Sequence, residues 1–279
     1  MIGRCLTAAL LLTLGAVSAQ GGTAAEEPPT TDLYTLLGQC PHLALVTPSA
    51  PNGQGTMAGA VVHDLTGSWP ELITFKGRAL DLEEGDLALA VACTPEPPAA
   101  GRPTVLGGPI LKVRRGLVRP AITFLEDWQS ELKTAPTAQL DAWLSHLTHP
   151  WAPAREVAFR ALMAHRRALK GRLMDGQMDA LGEMLVAPER PAGAGPQIIR
   201  VLGALTGQEG ANMLAAKLPY IQGRRAQHEA VRMLARYPSP MGRRALDRCL
   251  KTGGSVLAAH CRRALLKMPG GAGPKGAGR

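Results

Sequence analysis

The strongest constraint on this chain lies in its second half, where apolar side chains recur with the period of a helix from Thr137 to Met268. Leu140, Trp143, Leu144 and Leu147 fall at i, i+3, i+4 and i+7. Ile198, Val201, Leu202 and Leu205 repeat that spacing, as do Ala211, Leu214, Ala215 and Leu218, and then Ala230, Met233, Leu234 and Tyr237. A helix gathers such positions into one stripe, and the stripe must be buried against a neighbour. Ala158, Ala161, Leu162, His165 and Leu169 predict one further helix with His165 on its buried side. Shorter stripes run through Met178, Leu181 and Leu185, through Leu246, Cys249 and Leu250, and through Leu257, Cys261, Leu265 and Met268. Proline and glycine separate them at Pro150, Pro153, the loop 187–196, Gly207, Gly223, Ser239-Pro240 and Gly253-Gly254. Neighbours group into helix pairs over 137–169, 176–205, 208–237 and 239–268, the last two starting ~30 residues apart.

The stretches AREVAFRALMAH (154–165), RRAQHEAVRMLARY (224–237) and SVLAAHCRRALLKM (255–268) share an alanine-rich, leucine-containing face edged with arginine. They resemble the second helix of the HEAT-like helical-repeat family, and residues 239–254 resemble its shorter first helix. The resemblance covers about half the chain and implies an α-solenoid of about four helix pairs over 136–268. The pair 176–205 departs most, through its long proline-bearing link, and an irregular all-α bundle is the alternative fold.

Residues 1–19 read as a cleavable export signal. Arg4 precedes an apolar run from Cys5 to Val17, and Val17-Ser18-Ala19 fits cleavage before Gln20. That run is too short to span a membrane comfortably, and no second stretch approaches the length. The expected location is periplasmic or secreted. Residues 20–32 are a polar, proline-bearing linker, and 269–279 a glycine-rich tail.

Between linker and array the period changes. Runs at His42–Val46, Thr56–Asp64, Glu71–Lys76, Asp86–Cys93 and Ile110–Arg114 are strand-like and are separated by turn clusters. They predict a small β-barrel or sandwich over 33–119, joined to the array by a helix over 120–135 that carries Ile122, Leu125, Trp128 and Leu132 on one side. Gly67-Ser68-Trp69-Pro70 and Gly85-Asp86-Leu87-Ala88-Leu89, with an early cysteine ahead of them, resemble the OB-type barrel of the netrin and metalloproteinase-inhibitor class. The cysteine-rich start of those inhibitors is missing, so the resemblance implies a fold and not protease inhibition.

Beyond the signal the chain keeps Cys40, Cys93, Cys249 and Cys261, an even set suited to an oxidising compartment. Cys40 and Cys93 bracket the β region and are the expected disulfide. Cys249 and Cys261 stand at unequal distances from the turn between their helices, an axial offset of about 7 Å at helical rise, at the edge of what a disulfide spans. Both also sit on apolar stripes, so two small buried thiols are expected there.

Charge divides the chain. Residues 20–150 carry 8 basic against 14 acidic side chains, and residues 151–279 carry 22 against 8. Arg225, Arg232 and Arg236 share a helical face, interrupted by Glu229, and Arg243, Arg244, Arg248, Arg262 and Arg263 follow in the last pair. These arginines are the candidate binding residues. The partner they imply is a protein, an anionic envelope polymer or a lipid headgroup; a solvated face, partly neutralised by the acidic β region, is the plainer alternative. Nucleic acid is a second partner class, disfavoured by the export signal and by the lack of aromatic residues among the arginines.

Signatures of chemistry are missing. The sequence has no Gly-x-Ser-x-Gly elbow, no His-Glu-x-x-His and no phosphate-cradling loop, so no catalytic residue, metal site or cofactor is assigned and the chain reads as non-enzymatic. His146 and His149 have metal-compatible spacing but no local carboxylate, and read as helix-terminal residues. The adjacent His63 and Asp64 point to opposite faces of a strand. Trp128, Trp143 and Trp151 are expected to pack where the β region meets the array.

Overall fold

The computed structural model describes residues 32–49, 56–76, 82–99, 103–104, 106 and 110–269. The expected export signal, all but Asp32 of the linker, and residues 270–279 of the tail lie outside them.

The chain enters through a short helix, α1 (Leu33–Gln39), whose N-cap Asp32 accepts the Thr35 N–H at 3.1 Å. Six strands follow: β1 (His42–Pro48), β2 (Thr56–Asp64), β3 (Leu72–Lys76), β4 (Leu87–Ala92), β5 (Pro103–Thr104) and β6 (Leu111–Val113). They form one sheet in the order β5-β3-β2-β1-β4-β6, antiparallel except for β3 with β5. Just past β5, Leu106 bridges antiparallel to Ala92 of β4.

Both faces of β4 and of most of β1 are buried, and alternation sorts their residues by size. Ala44, Val46, Ala88, Ala90 and Ala92 point to one side, where Met57, Trp69, Ile73 and Phe75 fill the space. Leu43, Leu45, Leu87, Leu89 and Val91 point to the other and join the core of the helices. Asp86, at the entry to β4, is buried and accepts the Arg115 N–H at 2.8 Å, the Glu83 N–H at 3.1 Å and the Lys112 ammonium at 2.9 Å. The Lys112 side chain above all, then the Arg115 amide, holds this carboxyl down at about 2.

After a 310 turn come α2 (Val118–Glu131), α3 (Leu140–His146), α4 (Ala152–Ala164) and α5 (Arg166–Leu169). The rest of the array is α6 (Asp175–Val186), α7 (Ala194–Thr206), α8 (Gln208–Lys217), α9 (Arg224–Arg236), α10 (Pro240–Thr252) and α11 (Ser255–Lys267). Helices α4, α7, α9 and α11 pack side by side in one row, and α1 lies against α4 at its end. Helices α6, α8 and α10 form a second row against them. Gly223 takes φ 83° immediately before α9, a conformation that any other residue would find strained.

Three elements depart from the sequence-based reading. Helix α1 and strand β5, with 7 and 2 residues, are too short to show a period. The helix expected to run unbroken to Leu169 stops at His165, which takes φ −94° and ψ 11° as the C-cap of α4. His165 is consequently half-buried, stacked on Trp143 with ring centroids 5.5 Å apart, and does not lie in the core.

Both cysteine pairs are bonded, Cys40 to Cys93 and Cys249 to Cys261. The second bond overturns the expectation of two free thiols. Gly253 and Gly254 are both extended and carry the chain past the end of α10 before it turns back. That detour takes up the expected offset and brings the Cys249 and Cys261 Cα atoms to 6.3 Å. Two disulfides point to an oxidising compartment. Among the described residues no helix is long and apolar enough to cross a membrane.

Sheet and array share one continuous core, and aromatic rings fill it where they meet. Trp128, Trp143 and Trp151 are all buried, with Phe124 lying 5.6 Å from Trp128 and 5.9 Å from Trp151. Here the fold supplies what local sequence lacked: Glu131 of α2 reaches His146 at 3.3 Å. His149 is engaged otherwise, its Nδ1 accepting the Trp151 N–H at 3.2 Å. Burial first, and then the neighbouring His146, lower the pKa of His149 below 6.5. The unfolded chain therefore binds this proton more tightly. Stability is complete above pH ~6.5 and declines as pH falls through that value towards the depressed one. Urea midpoints measured from pH 7.5 down to pH 5.5, values bracketing an ordinary histidine at about 6.5, are expected to fall more steeply for the parent than for His149→Gln. Equal slopes would remove His149 from the acid response.

Candidate binding groove of the helical array

Helix α9 buries Ala226, Ala230, Val231, Met233 and Leu234, which leaves its charged residues on the opposite side. Packing α9 beside α7 opens a groove of about 740 Å³ between the two, reaching Met163 of α4 and Arg166 of α5. Met163, Ala204 and Tyr237 supply its accessible apolar surface over the buried Ile199, Gly203 and Met233, and Arg166, Arg200, Arg232 and Arg236 its cations. Gly203 lets the helices approach closely: a Cβ there would lie 2.8 Å from Met233 Sδ and would make that side chain shift. The Tyr237 hydroxyl donates to the Gly203 carbonyl at 3.0 Å and closes one end.

Glu229 is the one carboxylate among the groove's described lining residues. It accepts from Arg200 Nε at 3.1 Å and from Arg232 Nη1 at 3.4 Å. Half-exposed pairs of this kind contribute about 0–1 kcal/mol, so Glu229 orients the two guanidinium groups more than it neutralises them. Arg166 Nη1 donates to the Met163 carbonyl at 2.8 Å. The Arg236 guanidinium stands 5.7 Å from the Tyr237 ring centroid. Four guanidinium groups thus surround one groove against a single carboxylate.

The arginines named from sequence divide among several places. Arg232 and Arg236 line the groove; Arg225 is exposed and does not. Arg248, with Arg224, lines a separate cavity of about 420 Å³ at the α10–α11 turn. Arg243 donates to the Pro269 carbonyl at 2.7 Å, and Arg263 rests against His260. Arg244 and Arg262 are exposed on α10 and α11. Arg166 and Arg200 were not singled out from sequence, since they join the set only through the packing of α5, α7 and α9. Along the same row, Glu156 of α4 accepts from Arg160 and from Gln197 of α7, both at 2.8 Å, and Arg160 reaches Asp32 at 3.1 Å.

Further along α9, the His228 ring lies 3.9 Å from that of His260 on α11. Burial, then His260, Arg224 and Arg263, lower its pKa. Among the described residues no cluster of three or more histidine, cysteine or acidic side chains is arranged to hold a metal ion. His63 and Asp64 do point apart, His63 to Glu126 at 3.2 Å and Asp64 to the N–H groups of Thr66, Gly67 and Trp69. No family model matches the chain, and neither a curated protein nor a solved structure matches it.

Proposed function

We propose that the chain is an exported, non-enzymatic interaction protein that holds an anionic envelope component or an acidic protein on its helical array. The observation that carries this is the groove between α7 and α9, with Arg166, Arg200, Arg232 and Arg236 set around it against Glu229 alone. Such an excess of fixed cations attracts anionic partners at long range and offers forked hydrogen-bond donors at contact. The two packed rows of helices support reading the array as a HEAT-like solenoid. The parallel β3–β5 pair and the Leu106–Ala92 bridge support a sheet closed as an OB-type barrel. The disulfides support export by residues 1–19, with cleavage after Ala19, to the periplasm or beyond.

The test is affinity capture from the native envelope fraction. The bait is the mature chain, beside an Arg200→Glu/Arg232→Glu/Arg236→Glu variant and an Arg225→Glu/Arg244→Glu/Arg262→Glu variant of equal charge change. The expected result is a defined partner reduced about tenfold or more by the first variant and little by the second. Equal capture by all three baits would discard the groove as the binding site.

A further inference from the structure

We infer that the occupant of the α7–α9 groove is an acidic peptide segment of a partner protein that inserts a large apolar side chain between its carboxylates. This rests on the reading above that the groove binds an anionic partner. Two properties of the groove go beyond its charge.

The first is its surface. Met163, Ala204 and Tyr237 are only partly buried and stand among the arginines, so anything that fills the groove must cover apolar atoms as well as meet cations. A charged polysaccharide offers no apolar side chain for that surface, and a flat array of lipid headgroups does not enter a groove between two helices. A peptide supplies both at the spacing of one chain.

The second is how the guanidinium groups are already used. A guanidinium has five N–H donors. In the described contacts Arg200 commits only Nε to Glu229, and Arg232 only Nη1. The remaining N–H edges are left for incoming carboxylates, which arginine receives in paired, planar hydrogen bonds. Glu229 biases both side chains towards the groove before a ligand arrives, which lowers the ordering cost of binding.

Fluorescence anisotropy tests this with short labelled peptides. One carries glutamates flanking a Leu-Trp centre, and a second replaces that centre by Ser-Ser. Polyglutamate, anionic phospholipid vesicles and duplex DNA serve as competitors. The Leu-Trp peptide is expected to bind about tenfold or more tightly than the Ser-Ser peptide, the effect of burying one large apolar side chain. Ala204→Trp, which fills the groove without changing its charge, should bring the two peptides to the same weak affinity. Ala204→Leu fills less space and should give an intermediate loss, provided the far-ultraviolet circular dichroism of both variants matches the parent. Equal binding of the two peptides to the parent, or displacement by vesicles or DNA but not by polyglutamate, would overturn the peptide assignment and leave an anionic partner standing. Absence of binding to every acidic probe would overturn both.

Discussion

Guanidinium unfolding of the Cys40→Ser/Cys93→Ser variant is expected to give a free energy about 4 kcal/mol below that of the oxidised parent. The figure follows from the 53-residue separation of the two cysteines, which the bond removes from the freedom of the unfolded chain. The same reasoning gives about 3 kcal/mol for the bond between Cys249 and Cys261, whose sequence separation is 12. The larger loss is expected for the first pair, because both are measured against the same unfolded chain and its loop is the longer. Cys40 is also the C-cap of α1, and its N–H donates to the Leu36 carbonyl at 2.8 Å, so the first bond anchors a helix as well as the sheet. A smaller loss for the first pair than for the second would show that the β region is already constrained when unfolded.

The other large effect is expected at Trp128. Its ring is 1% exposed and packs against Phe124, Tyr34 and Trp143 in the core common to sheet and helices. Trp128→Ala should cost about 3–5 kcal/mol. The indole N–H is buried without a hydrogen-bond partner, so it contributes no attraction that a phenyl ring would forfeit. Trp128→Phe, which leaves a smaller cavity and removes the unpaired N–H, is therefore expected to cost less than Trp128→Ala. Far-ultraviolet circular dichroism and near-ultraviolet signals should lose amplitude together in Trp128→Ala, since one core serves both regions. Sheet and helix signals melting separately in the parent would contradict a shared core.

Long, periodic elements were legible because one-sided burial writes itself into sequence. The stripes that open with Ile198, Ala211 and Ala230 became α7, α8 and α9. The run from Leu87 to Ala92 became β4, buried throughout, with alanines on one face and leucines and valine on the other. What stayed hidden depends on neighbours in space. Glu131 meets His146 only because α2 and α3 fold together across 15 residues, and Arg200 meets Glu229 across 29. The face shared by Arg225, Arg232 and Arg236 could be read, but not that Arg225 lies outside the groove. The disulfide at Cys249 escaped because helical rise alone describes a turn only when its linker adds no length, and Gly253-Gly254 adds some.

The position of that disulfide has a consequence for how the molecule comes apart. An element held by few neighbours opens locally at low free energy. Helix α11 packs on α9 and α10. The covalent bond from Cys261 to Cys249 ties α11 to α10. Because α11 also packs on α9, the bond keeps α11 from swinging away by itself and uncovering a helix that lines the groove. In a reducing medium that restraint is lost, and α9 is the helix that separation of α11 would expose.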